Sequence, residues 1–126
     1  MTATDRALEL ARAAAAAAAD KLATTITGID VSEQLALTDV FVIVSAESER
    51  QVGSIVDEVE DTLRAMGSKP VRREGQREGR WVLIDFGDVI VHVFHDEDRQ
   101  YYSLERLWSD CPTIPIELPA PAQNEA

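Results

Sequence analysis

The chain has 126 residues, with 12 Lys and Arg against 23 Asp and Glu, for a formal charge of −11 at pH 7. That length suits one domain and excludes a protein kinase or a (β/α)8 barrel of about 250 residues. The acidic balance excludes a surface that broadly covers nucleic-acid phosphates, which needs clustered Lys and Arg, and it favours a basic protein partner.

From Thr4 to Leu22 the sequence reads as a helix. Thr4 is a suitable cap, Asp5 and Glu9 lie in the positive first turns, and the Ala run has the best intrinsic propensity. Leu8, Ala11, Ala15, Ala18 and Leu22 form a shallow stripe at helical spacing, which predicts weak or late docking. The stretch from Ala11 to Ala19 is made of small residues and carries Arg12. It resembles neither a signal peptide nor a membrane span of about 20 greasy residues, so the expectation is a soluble cytoplasmic protein with no membrane contact.

The β-branched run Thr24-Thr25-Ile26-Thr27 starts a strand. Val40 to Val44 is a continuous apolar run of strand length, as expected for a strand covered on both faces. Ser48, with Gln51 three residues later, matches a capping box that opens a helix from about Glu49 to Met66. Val52, Ile55, Val56, Val59 and Leu63 share one side of it, and Gly67 stands at the C-cap. Lys69, Arg72, Arg73, Arg77 and Arg80 then form a locally basic stretch with a short strand near Lys69 to Arg73. Gly75 and Gly79 suit a flexible connection.

Trp81 to Phe86 and Val89 to His95 read as a hairpin about Gly87-Asp88, with Gly at the first position of a type II′ turn. The register follows from that turn. Phe86, Ile84 and Val82 oppose Val89, Val91 and Val93 on a wholly apolar face that should meet the helices. On the other face Asp85 opposes Ile90, Leu83 opposes His92, and Trp81 opposes Phe94. That mixed face needs a cover. The N-terminal helix or a second subunit supplies it, or it is a regulated contact surface anchored by Trp81 and Phe94, with Asp85 and His92 adding specificity.

Two short helical pieces are expected around Arg99–Tyr102 and Leu104–Trp108. Ser103 is a plausible cap for the second, and Leu104, Leu107 and Trp108 share one of its sides. The domain is placed at residues 1–111. The Pro-rich tail, 112–126, is read as extended or disordered. Cys111 is the single cysteine, which excludes an internal disulfide and a multi-cysteine zinc site and fits a reducing compartment.

Three motifs carry little chemistry. Asp85-Phe86-Gly87 spells a kinase motif, but no Gly-rich or catalytic loop accompanies it, and turn chemistry explains it. His92 and His95 are three apart on a strand and face opposite ways, so they cannot jointly hold a metal, and His95 beside Asp96-Glu97-Asp98 reads as a solvated strand end. Ser45 and Ser48 lie where helix amides could hold an anion, but capping accounts for them and no Lys or Gly-rich loop supports a phosphate site.

Asp39-Val40-Phe41-Val42-Ile43, Ser48-Glu49-Arg50-Gln51-Val52, the run from Trp81 to Phe94 with its Asp85-Phe86-Gly87-Asp88 turn, and Tyr101 to Trp108 occur in an order that resembles the ribosomal silencing factor, or Iojap-like, family. The resemblance runs from about Ala7 to Cys111. Ser45-Ala46-Glu47 stands where the family usually has Thr-Gly, Phe86 where Tyr is common, and Cys111-Pro112 in place of Ala-Pro. The resemblance implies a mixed α/β (α+β) fold, a mixed sheet of about five strands packed with helices, related to nucleotidyltransferases but without their catalytic residues, cofactor or metal. It implies a homodimer that binds large-subunit ribosomal protein fourteen, blocks joining of the small subunit, and lowers translation when nutrients are scarce. The contact surface expected from the hairpin register and the resemblance comprises Trp81, Asp85, His92, Phe94, Tyr101, Tyr102, Leu104, Glu105 and Trp108. Arg72 and Arg73 are candidate contacts to ribosomal RNA, against the alternative of a solvated loop. The rival reading is a small nucleotidyltransferase-like or phosphate-binding enzyme, with Asp85, Asp88 and Asp96 as its carboxylates.

Overall fold

The computed structural model describes residues 4–33, 35, 38–75, 81–96 and 111–114. Helix α1 (Asp5–Asp20) opens on Thr4, whose side chain accepts the Ala7 N–H at 3.1 Å. Its buried face holds Ala7, Leu10, Ala11, Ala14, Ala15, Ala17 and Ala18, and it lies on the second helix and the sheet. That face is broader than the predicted stripe. Leu8 is only half-buried, and Leu22 lies beyond the helix end at φ 65 and is 67% exposed. Small side chains let two neighbours approach one helix at once, so an Ala-rich helix is a full layer of the core here.

Strands β1 (Thr25–Asp30) and β2 (Val40–Ala46) pair antiparallel, and every residue of β2 is buried. Helix α2 (Glu49–Ala65) follows. Strands β3 (Arg72–Glu74), β4 (Trp81–Asp85) and β5 (Val89–His95) come next, and β6 (Thr113–Ile114) closes the set. Among the described residues the sheet has six strands in the order β3-β4-β5-β2-β1-β6. Of the pairings among these residues only the central β2–β5 one is parallel, with Val40 opposite Val89 and Val44 opposite Val93. The fold is a mixed α+β domain with one strand more than expected. The addition is β6, which pairs with Gly28 and Ile29 of β1 beyond the residue where the sequence places the domain end.

The hairpin register agrees pair for pair with the sequence reading, from Trp81–Phe94 to Asp85–Ile90. The Phe86 N–H bonds Val89 O at 2.9 Å, and Gly87 takes φ +92, a conformation that disfavours a Cβ at this turn position. Val82, Ile84, Phe86, Val89, Val91 and Val93 join the helices in the larger core. A second, smaller core lies on the opposite face, built from Ile29, Val31, Phe41, Ile43 and Phe94.

Both ends of α2 are closed by side-chain or backbone bonds. Ser48 Oγ accepts the Gln51 N–H at 3.1 Å. Gln51 does more than a capping box requires. Its Oε1 accepts the Glu47 N–H at 2.8 Å, and its Nε2 donates to the Lys21 and Leu22 carbonyls at 3.1 and 2.8 Å. One amide therefore joins the start of α2 to the end of α1. At the other end Gly67 N–H bonds Arg64 O and Ser68 N–H bonds Leu63 O, the paired bonds of a Schellman motif.

Gly53 sits exposed within α2, and a Cβ added there meets nothing within 4 Å. Gly in a helix interior costs roughly 0.5–1 kcal/mol relative to Ala. Gly53→Ala should therefore raise unfolding stability by about that amount, measured as a shift of the urea midpoint with an unchanged slope.

Candidate functional site: the ring face of the hairpin

Period-two alternation divides each strand between two faces, and pairing aligns those faces across the sheet. The face away from the helices receives Ile29 from β1, Phe41 and Ile43 from β2, His92 and Phe94 from β5, and Trp81, Leu83 and Asp85 from β4. Trp81, His92 and Phe94 form a set of nearly parallel rings. Centroids are 5.7 Å apart for Trp81–Phe94, 6.2 Å for His92–Phe94 and 6.4 Å for Trp81–His92, with interplanar angles of 11°, 5° and 10°. Phe41 meets His92 edge-on at 4.9 Å.

The face is graded in depth. Phe94 is 1% exposed and His92 5%, whereas Trp81, Leu83, Asp85 and Ile90 are half-buried. Val31, with Leu35 and Cys111 beside it, belongs to the cluster over the closed part. The N-terminal helix does not supply the cover, because it lies on the opposite face. Phe94 and His92 therefore form the floor of the face, and the half-open strip runs along β4 to Ile90. Gly75 anchors one end of that strip. A Cβ there would stand 2.0 Å from the Trp81 carbonyl oxygen, and its φ is +78. Close backbone approach, rather than a need for flexibility, accounts for that glycine.

Charged groups at the rim are bonded within the chain. Asp85 Oδ1 accepts the Gly87 N–H at 2.8 Å, and its Oδ2 lies 3.5 Å from Arg72 Nε. Arg72 also reaches Glu74 at 2.7 Å. Arg73 points to the helix face and meets Glu60 at 3.1 Å, where a carboxylate 6% exposed gains its counter-charge. Each Arg proposed to touch RNA thus already faces a carboxylate of this chain. Ser48 caps α2, and Ser45 Oγ lies 2.5 Å from Thr25 Oγ1. His92 is buried on the ring face while His95, three residues on, is half-buried. Among the described residues, no group of His, Cys, Asp and Glu is arranged to hold a metal ion. Tyr101, Tyr102, Leu104, Glu105 and Trp108, like the two expected helical pieces, lie outside the described residues.

Sequence reasoning missed Phe41 as a member of the ring cluster and the Arg73–Glu60 pair. The run around Phe41 is apolar throughout, so it carries no alternation to reveal a face. The parallel register with β5 assigns it. Arg73 was legible only as part of a basic stretch, because its partner is 13 residues away on α2.

These elements define a small α+β domain whose distinctive surface is an aromatic hairpin face. A sequence profile described as "Ribosomal silencing factor during starvation" matches residues 4–126. The chain is 41% identical over 109 residues to the ribosomal silencing factor of Halalkalibacterium halodurans, covering 86% of this chain and 93% of that one. A crystal structure of a Bacillus halodurans protein superposes with a TM-score of 0.75 at 40% identity, covering 86% of this chain and 98% of the other. The crystal structure of protein CV0518 from Chromobacterium violaceum gives a TM-score of 0.78 at 31% identity, covering 94% and 97%. The chain belongs to the ribosomal silencing factor family.

Burial also sets the protonation state of the ring cluster. Desolvation lowers the His92 pKa from 6.5 to about 4, so the folded protein holds a neutral imidazole at neutral pH. The unfolded chain takes up that proton first as pH falls. His92 should therefore withdraw stability between pH 6.5 and about 4, by about 3 kcal/mol in total, and no further below that window. His92→Phe lacks this titration, so its stability should fall less than the wild type's over the same range in urea unfolding series.

Proposed function

We propose that this protein represses translation under nutrient limitation by occupying free large ribosomal subunits and sterically blocking the small subunit. The observation that carries this reading is the family match over residues 4–126. The partner is a basic ribosomal protein, large-subunit protein fourteen, and the charge of −11 favours such an encounter. Docking uses the half-open strip of Trp81, Leu83 and Ile90, with His92 and Phe94 as the floor that holds Trp81 in place. Tyr101, Tyr102, Leu104, Glu105 and Trp108 extend the surface. The action is occlusion, without catalysis or a cofactor, by a cytoplasmic protein that forms a homodimer.

An aromatic anchor supplies large apolar area, and removing a central one costs about 2 kcal/mol or more. Trp81→Ala should therefore bind purified large subunits about thirtyfold more weakly and lose its block of subunit joining at matched concentration. Co-sedimentation and a light-scattering assay of joining give the two readouts, with circular dichroism confirming the fold. A folded Trp81→Ala protein that still blocks joining at wild-type concentration removes the ring face from the mechanism.

A further inference from the structure

The imidazole of His92 has a polarity that the described residues do not use. It is 5% exposed, and among the described residues neither Nδ1 nor Nε2 has a hydrogen-bond partner. Buried polar side chains are overwhelmingly hydrogen-bonded, and a position filled only for packing is better served by an apolar residue. A neutral imidazole has one N–H donor and one bare nitrogen that accepts, and both are unpaired among the described residues.

The surroundings of the ring are asymmetric. Toward the sheet centre it meets Phe41 and Ile43, both buried. Toward the hairpin edge its cross-strand partner is Leu83, and Trp81 and Ile90 flank it on the same face. All three are half-buried. Leu83 is the half-buried aliphatic neighbour at that edge, so turning its side chain opens a path to the imidazole without backbone movement while Trp81 stays stacked. The carboxylate on the same face, Asp85, is already engaged by Gly87 and Arg72.

We propose that His92 is the polar recognition residue of the docking face: a Lys, Arg or peptide N–H donor of the bound protein passes Leu83 beside Trp81 and gives the bare imidazole nitrogen the hydrogen bond that it lacks among the described residues. The inference rests on the docking reading above. A basic partner is rich in such donors, and desolvation keeps the ring an acceptor at neutral pH. The arrangement confers specificity as well as affinity. A partner presenting only apolar groups leaves the nitrogen unmet, while one with a matched donor gains a desolvated hydrogen bond.

His92→Phe retains a flat ring and removes both nitrogens, and His92→Leu guards against overpacking. With purified large ribosomal subunits as the probe, both variants are expected to bind about tenfold more weakly. At least one should melt above the wild type at pH 7. Trp81→Ala measured beside them separates two failures. Weakened binding by Trp81→Ala with unchanged binding by both His92 variants overturns the role of His92 and leaves the docking face standing. Unchanged binding by all three overturns both. A lower melting temperature in both His92 variants also overturns the proposal, because the nitrogens then have partners in the free protein.

Discussion

The parallel pairing of β2 with β5 is the constraint on which the rest of the structure depends. Both strands lie at the sheet centre, and β2 is buried along its whole length. Parallel strands need a long connection, and α2 with the β3–β4 segment provides it. The helices take one face and their larger core includes Val40, Val42 and Val44. The other face is left to Phe41, Ile43, His92 and Phe94. A slip of one residue in that pairing would exchange the two sets and place the rings under the helices.

The proposed docking strip depends on this division. Trp81 is held from beneath by Phe94, from the side by His92, and at its backbone by the approach of Gly75. A rigid aromatic group loses little conformational freedom when a partner covers it, which favours association. The same packing accounts for the gradation from a closed floor to a half-open rim. Rings near the sheet centre have neighbours from three strands. Trp81 on β4 stacks on the β5 rings, but lies beyond the β4 residues that pair with the three-residue strand β3.

Local chemistry made the hairpin legible. Gly87-Asp88 fixed the turn, the turn fixed the register, and alternation assigned each side chain from Trp81 to Phe94. The capped starts of both helices were legible for the same reason, since Thr4 and Ser48 act within three residues of themselves. Depth was not legible. Alternation places Phe94 and Trp81 on one face but does not say that one is sealed and the other half-open. Depth depends on packing with residues distant in the chain, such as Val31 and Leu35, which join the same cluster. Long-range pairs such as Arg73–Glu60 and the bridge from Gln51 to α1 were hidden for the same reason. The face of β2 stayed ambiguous because a strand buried on both sides carries no alternation.

The short, charged strand β3 has a consequence for colloidal behaviour. Arg72, Arg73 and Glu74 are exposed at the rim of a sheet whose interior is rich in Val and Ile. Beside so apolar an interior, an unguarded border would template strand addition from neighbouring molecules. Three ionised side chains in a row impose a desolvation toll on any incoming strand, and among the described residues the opposite border is the two-residue strand β6. End-on extension of the sheet at the β3 border is thereby disfavoured.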